Sequence, residues 1–133
     1  MFTTIMTVPK PACKRGDVVL VLFPNSNLRT AKTRPALIVQ ANDLQTGLSQ
    51  VIIAMISSQM SRANHPSRVT IIQASPEGLQ SGLLSDSVVM ADNLATVVDS
   101  AMHRVIGSVA MEEVDSALRH TLGLRVAARN ANL

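Results

Sequence analysis

Two short apolar runs, separated by a basic segment, constrain the fold of this chain more than any other feature. The first run, VVLVLF at 18–23, lies between turn-forming residues, which is typical of a β-strand. The second begins at Ala36, directly after Arg34-Pro35, and a proline without an N–H is tolerated only at the start or edge of a strand. The segment between the runs is predicted to be a mobile loop at 25–33, which presents cations and no acid, as a site for a polyanion requires.

The remaining patterns predict several more short strands and one helix. Apolar or alternating runs predict strands at about 17–23, 36–41, 51–56, 68–73, 86–90 and 103–108. Residues 75–78 are typical of a turn, and 92–98 fits a helical turn or a strand equally well. Apolar residues at helical spacing predict a helix from near Met111. The fold class is therefore mainly β with α: a small antiparallel barrel with a C-terminal helix that closes or flanks it.

The length of the chain indicates one domain over residues 1–133. The first 14 residues contain two prolines and no periodicity, so 1–14 is predicted to be a loose tail. Residues 127–133 are expected to fray at the end of the helix. The only cysteine, Cys13, permits no intramolecular disulfide, which fits a reducing cytoplasm, and no apolar run is long enough to span a membrane.

The charge is distributed unevenly along the chain. Residues 1–68 carry eight Lys or Arg against two acids, whereas 69–133 carry four against seven. This asymmetry fits a polyanionic partner for the first half, and an unevenly charged solvated surface fits it equally well. The chain has two Phe and no Trp or Tyr, which disfavours binding modes that stack bases on aromatic platforms.

No motif for nucleotide, cofactor or metal binding is present in the sequence. It contains no Walker loop, no dinucleotide-binding GxGxxG, no HExxH and no cysteine cluster. His65, His103 and His120 are too scattered in sequence to predict a metal site. We therefore expect no cofactor and no metal.

Five segments in order resemble the PemK/MazF family of toxin endoribonucleases. They are Lys14–Asp17, Thr33–Pro35, Ile56–Gln59, Asp86–Val89 and Arg104–Gly107, and the resemblance extends over roughly 14–122. It implies an SH3-like barrel with a long C-terminal helix, which is usually homodimeric. Three positions depart from the pattern of the family. Ser57 stands where threonine is more usual, and Met90 and Ser100 stand where family members often carry a basic residue.

The resemblance implies a toxin of a type II toxin–antitoxin pair that cleaves single-stranded RNA without a metal. The 2′-OH of RNA attacks the adjacent phosphorus, which leaves a 2′,3′-cyclic phosphate and a 5′-OH. The family's catalytic positions correspond to Arg34, for stabilising the charged transition state, and Ser57, for bonding a phosphate oxygen. Each residue also has a purely structural interpretation. Arg34 would form an ion pair with a surface acid, and the Ser57 hydroxyl would form a hydrogen bond to the local backbone.

A wider set of cations is predicted to bind RNA phosphates: Lys14, Arg15, Arg29, Lys32, Arg62 and Arg68. The expected partners are single-stranded RNA, a partly disordered acidic antitoxin that covers the cationic groove, a second copy of the chain, and operator DNA when the antitoxin is bound. The alternative is a non-enzymatic interaction protein on the same scaffold, either like the gyrase-poisoning toxins or a degenerate member of the family. The Ser57, Met90 and Ser100 departures motivate that alternative.

Overall fold

A computed structural model describes residues 13–24, 27 and 29–125, which form an antiparallel six-stranded sheet and two α-helices. The strands are β1 (Asp17–Pro24), β2 (Ala31–Ile38), β3 (Gln50–Ser57), β4 (Arg68–Ile71), β5 (Ser87–Val98) and β6 (Met102–Ser108). The helices are α1 (Pro76–Ser81) and α2 (Glu112–Leu122), and 3-10 turns occur at Met60–Arg62 and Asp99–Ala101. The strand order in the sheet is β4-β5-β3-β2-β1-β6.

The central strands are buried on both faces of the sheet. Val18 and Leu37 pack into a cluster on one face, whereas Val19 and Ala36 pack into a second cluster on the other. Successive side chains of a strand point to opposite faces, so an unbroken apolar run supplies both clusters. The predicted strands at 17–23 and 51–56 are confirmed.

The C-terminal helix α2 covers the first of these clusters. Its buried residues, Val114 and Ala117, face β4 and β5. Acidic residues occupy its first turn and Arg119 and His120 its last, as the helix dipole favours. Leu118 packs against the core, whereas Leu122 is 55% exposed. The predicted helix is confirmed.

The sheet is not closed into a barrel by hydrogen bonds, because β4 and β6 form its two edges. Helix α1 packs against β6 instead. At Gly107 a Cβ atom would lie 2.3 Å from the backbone of Ser81, so only glycine permits this close approach. The turn predicted at 75–78 is the start of α1, since the Ser75 hydroxyl accepts a hydrogen bond from Gly78 N–H and Pro76 begins the helix.

Several predicted boundaries are wrong. Strand β2 begins at Ala31 rather than Ala36, because it stays paired with β1 as far as Pro24↔Ala31, and it ends at Ile38. Lys32 therefore lies on a strand and not in a mobile loop. The ambiguous segment at 92–98 is the second half of β5, where it pairs with β3.

The predicted loose tail at 1–14 lies outside the described residues except for Cys13 and Lys14, and so does the predicted frayed end at 127–133. Within the described part of the chain, no helix has the length and apolarity to cross a membrane.

Candidate functional site

The sheet splits where β2 and β3 diverge. The two strands pair from Ile38↔Ile53 to Ala36↔Met55 and no further. Pairing stops next to Pro35, which has no N–H for the ladder. Beyond this point β2 continues beside β1 alone, and β3 continues beside β5 alone. The divergence leaves a groove between the outer half of β2 and the end of β3.

The groove has a volume of about 660 Å³ and is cationic. Lys32, Arg34, Arg62 and Arg104 line it, and no Asp or Glu occurs among its described lining residues. Hydroxyl groups and an apolar floor complete the lining; the floor contains Leu20, Met55, Ile56, Leu83, Met90 and Ile106. A groove of this kind can bind phosphate groups at its rim and an apolar ligand surface at its base.

Arg34 and Ser57 line this same groove. Each lies two residues beyond the last pair between β2 and β3, Ala36↔Met55, so the continued register places them opposite each other across the split. Arg34 is exposed and makes no ion pair within the described part of the chain. The structure therefore brings together the two residues predicted to be catalytic.

The Ser57 hydroxyl is oriented by its own backbone. Its Oγ accepts a hydrogen bond of 3.1 Å from the Gln59 N–H. A serine hydroxyl has one proton and two lone pairs, so this bond leaves the proton free to be donated to a ligand in the groove.

The six cations predicted to bind RNA do not lie together. Lys32 and Arg62 line the groove. Lys14 and Arg15 border a separate pocket, lined also by Gln40 and Asn42. Arg29 is exposed and precedes β2, in a turn where its N–H donates to Asn27 Oδ1. RNA contact by the cations outside the groove remains a prediction.

Arg15 makes contacts that connect α2 to the sheet. Its Nη2 lies 2.6 Å from Asp115 Oδ1 on α2, and its Nε donates to the Val39 carbonyl at 2.9 Å. These bonds give Arg15 a structural role at the end of the sheet away from Arg34.

Arg68 is engaged through all three of its guanidinium nitrogens. Nε and Nη2 donate to the two carboxylate oxygens of Asp92 at 3.3 and 2.9 Å, and Nη1 donates to the Arg62 carbonyl at 3.0 Å. The hydrogen bonds from Arg68 hold the pKa of Asp92 below its usual value of 3.8.

This pair predicts a small dependence of stability on pH. Because folding lowers the pKa of Asp92, the carboxylate contributes to the free energy of unfolding above pH 3.8. This contribution is lost as the pH falls through the lower pKa that Asp92 has in the folded protein. Chemical denaturation should give a higher free energy of unfolding for the wild type than for Asp92→Asn at pH 6, and this difference should shrink progressively as the pH falls below 3.8. An equal difference at all pH values would contradict the prediction.

Arg104 and Asn93 are among the groove residues that the sequence does not predict as site residues. Arg104 lies on β6 opposite Leu20 of β1, and the pairing of the first and last strands cannot be read from local sequence. Asn93 reaches the groove because β5 bulges there: Met90 pairs with Met55, and Leu94 pairs with Ala54. A bulge re-aims the side chains that it contains. The polar residues after the apolar stretch ending at Ala91 were the only signal for this bulge.

Met90 and Ser100, where family members often carry a basic residue, lie in different parts of the fold. Met90 is part of the groove floor and is 6% exposed. Ser100 lies in the 3-10 turn before β6, outside the groove lining. Only Met90 therefore bears on the charge of the groove.

Two of the three histidines meet outside the groove. The rings of His65 and His120 are in edge contact, with centroids 6.0 Å apart, and His65 Nδ1 accepts a hydrogen bond from Ser67 N–H. Across the ranges that the structure describes, no three His, Cys, Asp or Glu side chains group as metal ligands.

The fold and groove together define a class of protein: a small antiparallel β domain whose split sheet lines a cationic groove with an arginine, a serine hydroxyl and further cations. Residues 14–122 match the family model described as "PemK-like, MazF-like toxin of type II toxin-antitoxin system". The chain belongs to this family.

Individual relatives agree with the family assignment. Endoribonuclease EndoA of Bacillus subtilis (strain 168) is 30% identical over 118 residues, which cover 84% of this chain and 95% of that protein. A mycobacterial endoribonuclease, solved with its cognate antitoxin, has a TM-score of 0.64 at 24% identity and covers 86% of this chain and 99% of its own. A MazE–MazF structure from Deinococcus radiodurans has a TM-score of 0.62 at 20% identity and covers 85% of this chain and 98% of its own. The predicted fold class is confirmed.

Proposed function

We propose that this protein is the toxin of a type II toxin–antitoxin pair and cleaves single-stranded RNA as a metal-independent endoribonuclease. The observation that carries the proposal is the split between β2 and β3, which puts Arg34 and Ser57 on one cationic groove. The 30% identity to an endoribonuclease over most of both chains supports the same reaction.

The reaction needs little covalent chemistry from the protein, because RNA supplies its own nucleophile. The 2′-hydroxyl loses its proton to solvent water as its oxygen forms a bond to phosphorus, the bond from phosphorus to the 5′-oxygen breaks, and negative charge builds on the non-bridging oxygens. Arg34 donates two hydrogen bonds to these oxygens, and Ser57 donates a third. The departing 5′-alkoxide is a stronger base than a neutral guanidine, so Arg34 can also act as the general acid that protonates it, and the guanidine then regains a proton from water.

The rest of the groove positions the strand around the scissile phosphate. Lys32, Arg62 and Arg104 bind flanking phosphates, and the apolar floor packs against bases that are splayed from the strand. A continuous duplex cannot splay its bases in this way. The proposal therefore specifies single-stranded RNA.

The test is cleavage of a mixed-sequence single-stranded RNA by the purified protein in excess EDTA. We expect cleavage at a short preferred sequence, with 2′,3′-cyclic phosphate and 5′-OH ends identified by end-labelling and mass spectrometry. Complete loss of cleavage on adding EDTA, or 3′-OH products, would contradict the proposed mechanism.

Substitution of Ser57 tests the hydroxyl separately. Ser57→Ala is expected to lower kcat by roughly 10- to 100-fold. The alanine cannot make the hydrogen bond that stabilises the charged oxygen of the transition state. Ser57→Thr should keep at least the wild-type kcat, since the added methyl restricts χ1 without removing the hydroxyl. Equal kcat values for all three proteins, in single-turnover assays, would exclude a catalytic role for Ser57.

The cationic groove also suits the antitoxin expected of the family. We propose that a partly disordered acidic segment of the antitoxin folds over the groove and blocks RNA. Full ribonuclease activity in a complex saturated with antitoxin would exclude this mode of inhibition. We further propose a cytoplasmic homodimer, and binding to operator DNA when the antitoxin is present.

The non-enzymatic alternative receives less support. Arg34 is exposed to the groove and free of ion pairs among the described residues, as an RNA-cleaving role requires. A gyrase-poisoning protein would trap DNA breaks and leave RNA intact, and Arg34 substitutions would not alter that effect.

A further inference from the structure

One wall of the groove is a short turn without a fully buried residue: Met60, its one apolar member, is 37% exposed. The 3-10 turn at Met60–Arg62 contains no buried residue and no side-chain cap. Nevertheless, Gln59 and Arg62, from this short segment, line the groove. An exposed turn with few buried contacts opens locally at low cost in free energy unless polar bonds attach it to the rest of the fold.

Arg68 supplies such bonds. Its Nη1 donates to the carbonyl of Arg62, the last residue of the turn, at 3.0 Å. Its other two nitrogens hold Asp92 on β5, so one planar guanidinium joins the turn to the sheet. The Arg68 and Asp92 side chains are 25% and 29% exposed, so water screens the ion pair in part, and its bidentate geometry is what fixes the guanidinium.

We infer that Arg68 and Asp92 form a clamp that positions the 3-10 turn, and with it the Arg62 side chain, against RNA in the groove, and that Arg68 does not itself bind phosphate. The inference rests on the proposed RNA-cleaving function. It assigns Arg68 as a positioning residue, whereas the sequence alone predicted a phosphate ligand.

The two roles for Arg68 predict opposite effects when Asp92 is removed. If Arg68 were a phosphate ligand, Asp92→Ala would free its guanidinium and lower KM for RNA. If Arg68 and Asp92 form the clamp, Asp92→Ala releases the turn and raises KM by about tenfold, with kcat within about twofold of wild type. Arg62 binds a flanking phosphate in this scheme, so its displacement weakens binding more than chemistry.

Asp115→Ala is the matched control. It removes the same charge from the other described Arg–Asp pair, which lies away from the groove and has similar exposure. Both variants therefore change the net charge equally, and only the clamp variant should raise KM. A KM for Asp92→Ala that is equal to or lower than that of Asp115→Ala would overturn the inference.

A double-mutant cycle shows whether Arg68 acts through Arg62. Arg68→Met and Arg62→Met should each raise KM, and the double variant should be no worse than Arg62→Met alone. Arg68→Lys should not restore the wild-type KM, because an ammonium lacks the planar fork that binds Asp92 and the Arg62 carbonyl at the same time. Multiplicative effects of the two methionine substitutions would indicate that Arg68 contacts RNA independently and would overturn the clamp.

A readout without RNA separates failure of the clamp from failure of the proposed function. Amide hydrogen exchange of Arg62 and Ala63, whose N–H groups donate to Gln59 and Met60 carbonyls, should be at least about fivefold faster in Asp92→Ala than in Asp115→Ala. This result would support the clamp even if the wild-type protein cleaved no RNA. Unchanged exchange in a folded Asp92→Ala variant, or in Arg68→Lys, would overturn it.

Discussion

Replacing Arg34 with alanine is expected to lower kcat for RNA cleavage by about 100- to 1,000-fold. The guanidinium donates hydrogen bonds to the phosphate oxygens as they gain charge, and Lys32, the other cation on the outer half of β2, lacks the planar fork that makes both bonds. The side chain is exposed and makes no ion pair in the described structure, so the free energy of unfolding should change little. Single-turnover cleavage in EDTA, with thermal denaturation of the same samples, measures both effects.

Arg125→Ala is a suitable control for this variant. It removes another exposed guanidinium, one that lies beyond α2 and outside the groove. Arg34→Lys should recover only part of the activity, because the charge remains but the planar fork is lost. If Arg34→Ala cleaved RNA as fast as Arg125→Ala, the proposed assignment of the active site would be wrong.

Replacing Gly82 with alanine is expected to cause a large loss of stability from a single methyl group. Gly82 ends α1 with φ +72°, and a Cβ there would lie 2.0 Å from the carbonyl oxygen of Ile106 on β6. The left-handed conformation costs a non-glycine residue about 1–2 kcal/mol. Displacing the backbone of β6 adds a similar amount or more, so we expect the free energy of unfolding to fall by roughly 3 kcal/mol or more.

Gly123→Ala separates these two costs. Gly123 ends α2 with φ +70°, and a Cβ there would meet nothing within 4 Å. Its substitution should lower the free energy of unfolding by only about 1 kcal/mol. Urea denaturation of both variants gives the comparison. An equal loss of free energy of unfolding in the two variants would contradict the close approach of α1 to β6.

Much of the fold could be predicted from local sequence. The apolar runs of β1 and β3 and the helical stripe of α2 are long enough for their periodicity to identify them. The elements that were missed or misplaced depend on distant partners. The outer half of β2 is polar and exposed, and it is a strand because β1 pairs with it. Helix α1 has only six residues, too few for a periodic pattern.

The site divides in the same way. Arg34 and Ser57 could be proposed as catalytic residues from sequence, because the segments that contain them resemble a known family. Arg104 could not be assigned to the site, since it reaches the groove only through the pairing of β6 with β1. The role of Arg68 was also hidden, because a lone arginine in a sequence gives no sign that Asp92, 24 residues later, will engage it.

The sequence by itself determined the apolar strands β1 and β3, helix α2, the family and the two residues proposed for catalysis, since local periodicity and short motifs carry that information. The tertiary structure alone decided which cations share the groove with Arg34. Hydrogen bonds between strands distant in sequence bring Arg104 to the groove, and ion pairs hold Arg15 and Arg68 to the fold. The physical reason is that a charged side chain is available to a ligand only where the folded chain leaves it without a partner.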